Sequence, residues 1–286
     1  MANIELIKVL RDRTGAGMMD CKHALEECHD DVDAACDWLR EKGIAKAAKK
    51  ASRIAAEGLT TVLVCKECGK AIVVEVNCET DFVAQSDPFK ELVAEVAKSL
   101  LKGNVANFEE GKALVEPLFT DATVKLGEKL TLRRFEIVEG GNLGSYIHMG
   151  GKISVLVVLK EENAELAKGL AMHIAANNPK YISQADVPAE VIESETKIQL
   201  EAAKNDEKLK NKPEAALANI IKGKVNKVLS EVTLSEQTYL MDGSRTVKDV
   251  LASEKNEVCK FIRFQVGEGL EKRVDNFAEE VMAQSK

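Results

Sequence analysis

The sequence has no long hydrophobic run, few aromatic residues and no excess of basic residues. None of its apolar runs reaches the roughly 20 residues that a membrane-spanning helix needs, and its first residues lack the composition of a signal or transit peptide. A net charge of −7 argues against nucleic-acid binding as the main activity, because phosphate contacts need a basic surface. With 45% hydrophobic and 30% charged residues, the chain is typical of soluble globular proteins, and we expect it in the cytoplasm without membrane or nucleic-acid partners.

Cysteine shows no pattern of a disulfide framework. The seven cysteines are scattered and odd in number, which favours free thiols in a reducing cytosol. Cys65 and Cys68 have the C-x-x-C spacing, but a structural zinc site needs four ligands and Cys78 is the only nearby third candidate. A redox C-x-x-C motif normally opens a helix, whereas this one lies between two strand-like runs. We therefore predict no metal site.

The motifs of the common enzyme classes are missing as well. The sequence has no glycine-rich phosphate loop, no paired histidine and glutamate on one helix face, and no nucleophile elbow. His148 and His173 have no obvious catalytic partner, which favours structural or interface roles. We predict a protein that is not an enzyme and needs no cofactor.

What the sequence does contain is a change from helical to strand-like periodicity near residue 59. Three short helical patterns resemble the bundle of ubiquitin-associated domains, and alternating β-branched runs, amphipathic helices and two long helical stripes follow. We predict an α+β fold with this three-helix bundle, two related α+β core subdomains, an inserted antiparallel helical hairpin and a C-terminal helix. The expected boundaries are 1–52 for the bundle and linker, 53–140 for the first core subdomain, 141–180 and 231–264 for the two parts of the second, 181–230 for the hairpin and 265–286 for the C-terminal module.

The N-terminal bundle carries two adjacent methionines, Met18 and Met19, on the turn into its second helix. Two neighbouring side chains on a turn cannot both point inward, so at least one should be exposed and suited to a protein contact. The third helix is predicted to end at Gly43, with a solvated basic linker helix over 45–53.

The stretch Thr80–Asp81–Phe82–Val83 is predicted to be a loop between a strand and a helix. Runs 69–76 and 151–158 match in position and alternation, and each precedes an amphipathic helix, which indicates two related units. The connection after the first run is several residues longer and includes this stretch. In the simpler interpretation Phe82 packs over the sheet edge. Because the second unit folds without the extension, we favour a functional wedge.

Two long motifs resemble the bacterial elongation factor Ts family: residues 11–25, RDRTGAGMMDCKHAL, and residues 75–84, EVNCETDFVA. Shorter matches span the rest of the chain in order, at 125–128, 144–148, 171–176 and 261–269. The departures are small: His23 stands where the family commonly has lysine, and Leu126 where it commonly has isoleucine.

The resemblance implies a guanine nucleotide exchange factor that acts on elongation factor Tu in its GDP-bound and nucleotide-free forms. The stretch Thr80–Val83 would enter the partner beside its nucleotide, where Asp81 and Phe82 would disturb the Mg²⁺ site. The resemblance also implies a homodimer through the helical hairpin, and hence a 2:2 complex. Other implied contacts with the partner are Met18, Met19, Lys22, Leu126, Gly127 and His148.

Two other classes of protein stay open. A general interaction or chaperone-like protein would use the bundle and the hairpin without approaching a nucleotide site, so Asp81 and Phe82 would be dispensable. A thiol or zinc protein would use Cys65 and Cys68, with Cys78 as the candidate third ligand.

Overall fold

A computed structural model describes residues 4–50, 52–206, 209 and 213–271. None of the helices in these ranges combines the length and the apolar character needed to cross a membrane. The predicted C-terminal helix falls largely outside the described residues.

The chain divides into two compact units, which do not follow the order of the sequence. The first consists of Met1–Glu139, Ile147–Ser154 and Phe264–Lys286, and the second of Gly140–Tyr146 and Val155–Arg263. All the residues that the sequence assigns to partner contacts belong to the first unit.

The described elements confirm the α+β prediction, with helices at the N-terminus and two small sheets after them. In chain order they are α1 (Ile4–Thr14), α2 (Met18–Glu27), α3 (Val32–Lys50), β1 (Glu57–Cys65), β2 (Lys70–Cys78), α4 (Asp81–Gln85), α5 (Asp87–Lys102), α6 (Phe108–Leu126), β3 (Thr131–Glu139), β4 (Asn142–His148), β5 (Ile153–Leu159), α7 (Ala164–Asn177), α8 (Ala189–Asn205), α9 (Glu214–Val232), α10 (Val247–Ser253) and β6 (Val258–Gln265).

Helices α1 to α3 form the N-terminal bundle around a small core that includes Leu10, Cys21, Leu25 and Leu39. The prediction that α3 ends at Gly43 is wrong, because the helix continues to Lys50. Gly43 is a packing position: a Cβ built there would lie 2.5 Å from Val124 Cγ2 on α6. The glycine therefore allows α3 and α6 to approach closely.

The first sheet has the antiparallel order β1-β2-β3, with the β1–β2 hairpin in the expected place. Strand β2 is buried from Ala71 to Cys78. Its alternate residues Ile72, Val74, Val76 and Cys78 belong to one core with the apolar face of α5, as period-2 and period-3.6 patterns predict. This core holds the end of β2, from which the candidate stretch begins.

The second sheet has the order β4-β5-β6. Strand β4 lies very close to α7, since a Cβ built at Gly144 would be 2.3 Å from the Cβ of Ala167. Helices α8 and α9 form the predicted helical hairpin, with Ala203, Ile221, Val225 and Leu229 in its core.

Two predictions about connections have clear outcomes. The β2–α5 connection covers 79–86, whereas the β5–α7 connection covers only 160–163. The connection after β2 is therefore the longer one, as predicted. The expectation of free thiols is wrong for Cys65 and Cys68, which form a disulfide across the β1–β2 turn. Their spacing allows this bond because a short turn brings the two Cα atoms within 5.5 Å. The other five cysteines are free.

Candidate protein-contact site

Phe82 stands on a short helix at the end of the central strand. The stretch predicted as a loop forms α4, and Thr80 caps it: its backbone is extended, and its Oγ1 accepts a hydrogen bond from Val83 N at 3.3 Å. Ala84 is buried and Val83 packs against the core of the sheet, so α4 is anchored on its inner side. Phe82 is 83% exposed and therefore does not cover the sheet edge.

The carboxylate of Glu128 fixes the start of α4. Glu128 Oε2 accepts the backbone N–H groups of Glu79 and Thr80, both at 3.0 Å, and Oε1 accepts the Thr80 hydroxyl at 2.6 Å. Hydrogen bonds to a charged acceptor are the stronger kind. One side chain from the segment after α6 thus holds the backbone from which Asp81 and Phe82 project.

Glu79 makes the reciprocal connection. Its Oε1 accepts the backbone N–H of Lys129 at 2.6 Å, and its carboxylate pairs with Arg53 Nη1 at 3.2 Å. The Lys129 ammonium in turn donates to Arg53 O at 2.8 Å. Each glutamate therefore accepts a backbone hydrogen bond from the other's segment, which joins residues 79–80 to residues 128–129.

Gly127 forms the bend between α6 and Glu128. It ends the helix in the left-handed conformation, with φ 71° and ψ 7°, which favours glycine because other residues meet a steric cost there. Its carbonyl also accepts a hydrogen bond from the Lys50 ammonium on α3. Leu126, the last residue of α6, packs against the core of the first sheet.

The same end of α6 meets the N-terminal bundle. A Cβ built at Gly15 would lie 3.0 Å from Lys125 Cγ, so the turn before α2 lies against the last turn of α6. Met18 and Met19 begin α2 and are 59% and 62% exposed, which confirms that at least one is accessible. Lys22, one turn further on, forms a 3.7 Å ion pair with Glu26.

Cys78 lies under this site as a buried, inert thiol. Burial raises its pKa to about 12, and the negative charge of Glu128 acts in the same direction. A thiol with such a pKa stays protonated near neutral pH and is a poor nucleophile or metal ligand. The arrangement therefore speaks against Cys78 as a third ligand beside Cys65 and Cys68.

His148 is half-buried at the end of β4, between the exposed side chains of Ile147 and Met149. His173 is fully buried in the second unit and bonds to Gln237, which fits the structural role expected for it. Among the described residues, no group of three or more His, Cys, Asp or Glu side chains is arranged to hold a metal ion.

The structure thus brings together the stretch 80–83, the bend at 126–127 and the turn before Met18, with the end of α6 as their common neighbour. Sequence reasoning missed the two residues that make the connection, Glu79 and Glu128. Glu79 lies in the motif at 75–84 and Glu128 in the motif at 125–128, and both are next to residues predicted as partner contacts. Their position inside these motifs was the sequence signal for a functional role. Only the fold shows that each carboxylate accepts backbone N–H groups of the other segment.

Comparison with known proteins gives consistent matches. Residues 79–268 match the family model described as Elongation factor TS. The chain is also 50% identical over 289 residues to Elongation factor Ts of Acholeplasma laidlawii (strain PG-8A), a match that covers 98% of this chain and 97% of that protein.

Proposed function

The chain belongs to the elongation factor Ts family, whose members act in translation elongation as nucleotide exchange factors, and we propose that Asp81 and Phe82 displace GDP from elongation factor Tu. The observation that carries the proposal is that Phe82 is exposed on α4, whose first turn is held in place by the hydrogen bonds from Thr80 to Glu128. Burial of an exposed apolar ring in a partner lowers the free energy of the complex, and a rigid backbone reduces the entropy lost on binding. The proposal places this step in the cytoplasm, where GDP-bound elongation factor Tu is the substrate complex.

The chemistry of the nucleotide site explains why a small wedge can act. Mg²⁺ bridges the phosphates of a bound nucleotide to a GTPase and neutralises their charge. A wedge that shifts the Mg²⁺ ligands leaves the diphosphate charge less neutralised, and GDP binds more weakly. Asp81 brings a carboxylate next to this site, and Phe82 occupies the space that the displaced groups leave.

Linkage sets the size of the effect. A factor that weakens GDP binding must itself bind more tightly to the nucleotide-free form, by the same factor. A thousandfold weakening corresponds to about 4 kcal/mol of coupling free energy. Complete burial of a phenylalanine side chain contributes about 1.5–3 kcal/mol, so Phe82 can supply a large part but not all of it.

Further contacts hold the factor on its partner and add affinity in every bound state. We assign docking to Met18, Met19 and Lys22 on the bundle, and to Leu126, Gly127 and His148 on the core; this rests on their matching positions in the family motifs. The soft, exposed methionines suit such a surface. The helical hairpin would join two copies, and Val191 and Ile198 on α8 give it exposed apolar side chains, 37% and 56% accessible.

Release of a fluorescent GDP analogue from elongation factor Tu tests the proposal. We expect catalytic amounts of this protein to accelerate release strongly, and Phe82→Ala to remove most of the acceleration. Asp81→Asn keeps the size of the side chain and removes its charge, so it should reduce the rate less than Phe82→Ala but measurably.

Phe108→Ala is the matched control. Phe108 also stands at the start of a helix in the first unit, is 38% exposed and stacks on Phe135 with ring centroids 6.0 Å apart. We expect this variant to lose some stability and to keep full exchange activity. Acceleration that survives Phe82→Ala would move the mechanism to the docking contacts. No acceleration from folded protein would favour a general interaction protein instead.

A further inference from the structure

The tip of the β1–β2 hairpin carries a cysteine pair that nucleotide exchange does not use. Cys65 ends β1, Lys70 begins β2, and the two residues are paired in the antiparallel ladder. Between them, Gly69 has φ 62°, a left-handed conformation that suits a tight turn. The backbone ladder therefore holds Cys65 and Cys68 together, and the disulfide is an addition to a turn that is already fixed.

Neighbouring contacts strengthen the base of this turn. The Lys70 ammonium pairs with Glu139 at 2.6 Å on the adjacent strand and donates to the Asn104 side chain at 3.0 Å. Because these bonds do not involve sulfur, opening the disulfide leaves them intact. The pair can thus change its redox state without unfolding the sheet.

The position of the pair also gives it access to solvent. Lys66, Glu67 and Cys68 are exposed, and Cys65 is partly exposed. By contrast, burial raises the pKa of Cys21 and of Cys78, which makes both thiols unreactive. Cys259 is exposed but has no cysteine partner. Among the seven cysteines, only Cys65 and Cys68 are both paired and accessible.

We propose that Cys65 and Cys68 form a reversible dithiol–disulfide site that takes dithiol reductants as its substrate. Disulfides of cytosolic proteins, where they occur, are usually transient and redox-active. The hairpin tip lies eight residues along β2 from Cys78, about 26 Å at the rise of a strand, and so is remote from the α4 site. The site is therefore independent of nucleotide exchange.

The fold favours one direction of attack. A thiolate of the reductant attacks the exposed Cys68 sulfur, a mixed disulfide forms, and the Cys65 sulfur leaves as a thiolate. The backbone N–H of Cys68 already points at Cys65 Sγ, 3.3 Å away, and stabilises this leaving group. The second thiol of the reductant then displaces Cys68. Two electrons and two protons pass to the protein, which ends with two thiols, and the reductant ends as a disulfide.

Equilibration of the full-length protein in buffers of reduced and oxidised dithiothreitol tests the proposal. After acid quenching and denaturation, a thiol-specific mass tag counts the free thiols at each ratio. We expect a single reversible step from five to seven free thiols per chain, mapped to the peptide with Cys65 and Cys68. The midpoint should not depend on protein concentration, since the bond is within one chain.

Three variants sharpen the result. Cys65→Ser and Cys68→Ser should each abolish the two-thiol step, while Cys259→Ser, which removes an exposed but unpaired thiol, should keep it. Nucleotide release should be unchanged in all three. The proposal is overturned if all seven thiols stay free at every ratio, or if the midpoint moves with protein concentration. It is also overturned if the isolated protein retains zinc that Cys65→Ser loses, because the pair would then be a metal ligand.

Discussion

Thr80 donates both its backbone N–H and its hydroxyl hydrogen to the carboxylate of Glu128, at 3.0 and 2.6 Å, although the two residues are 48 positions apart in the chain. The same hydroxyl oxygen accepts the Val83 N–H and caps α4. One hydroxyl group therefore connects a distant carboxylate to the first turn of the helix that carries Phe82. The direction in which the ring projects depends on this long-range contact more than on local sequence.

Glu128→Gln should reduce the acceleration of GDP release although the side chain need not touch the partner. The amide keeps one acceptor oxygen but loses its charge, and charge-assisted hydrogen bonds contribute about 1.5–3 kcal/mol each. We expect faster hydrogen exchange at the backbone amides of Glu79, Thr80 and Val83. We also expect slower release of GDP from elongation factor Tu. Mass-spectrometric hydrogen exchange and the GDP-release assay measure the two effects.

Glu110→Gln is the control for this variant. Glu110 has the same task at the start of α6, where its carboxylate accepts the Ala106 N–H at 3.0 Å and the Asn107 side-chain amide at 2.8 Å. We expect a comparable local loosening there with no loss of GDP release. Equal losses of activity in both variants would mean that Glu128 acts only through general stability.

The sequence predicts most of the fold because its periodicities are strong, but it does not predict the hydrogen bonds that join Glu128 to Glu79 and Thr80. The continuous β-branched run of β2, which is buried from Ala71 to Cys78, and the apolar face of α5 identify their elements unambiguously. The distinction between loop and short helix at 81–85 depends on the cap at Thr80, which needs Glu128 to hold it. Gly43 is a related case: glycine often ends a helix, but here the absence of a Cβ allows α3 to pack against Val124 on α6.

Gly43→Ala should destabilise the first unit, against the normal preference of helices for alanine. Alanine favours a helix by about 1 kcal/mol over glycine, but its Cβ would lie 2.5 Å from Val124 Cγ2, and overpacking costs about 1–3 kcal/mol. We expect a lower unfolding midpoint for Gly43→Ala and recovery in the double variant with Val124→Ala. Chemical unfolding followed by circular dichroism measures both. A stabilised single variant would show that α3 can move away from α6.

The stability of the second unit should fall as the pH drops below about 6.5. Burial lowers the pKa of His173, and the bond to Gln237 opposes this only in part. Its Nδ1 accepts the Leu240 N–H at 3.2 Å, so the folded state holds the ring neutral. The unfolded chain takes up a proton near the ordinary pKa of histidine and so binds more protons than the folded chain. Proton uptake lowers the free energy of the unfolded state, and stability therefore falls.

His173→Gln should therefore remove part of the stability loss between pH 7.5 and pH 5.5, even if it lowers stability at pH 7.5. Calorimetric unfolding at the two pH values measures the difference. His23→Gln is the control, because it removes a histidine from α2 in the first unit and leaves the second unit unchanged. Identical pH dependence in His173→Gln and the unchanged protein would show that other groups account for the loss.

Phe82→Ala and Met19→Ala should differ in the kind of defect and not only in its size. Both side chains are exposed, at 83% and 62%, but a wedge acts on the step that expels GDP, whereas a docking contact stabilises every bound state alike. Loss of the wedge should lower the maximal rate of GDP release at saturating factor. Loss of a docking contact should raise the factor concentration needed for half-maximal rate and leave the maximum nearly unchanged. Titrating elongation factor Tu with each variant separates the two parameters, and an equal fall in the maximal rate for both would refute the distinction between wedge and docking surface.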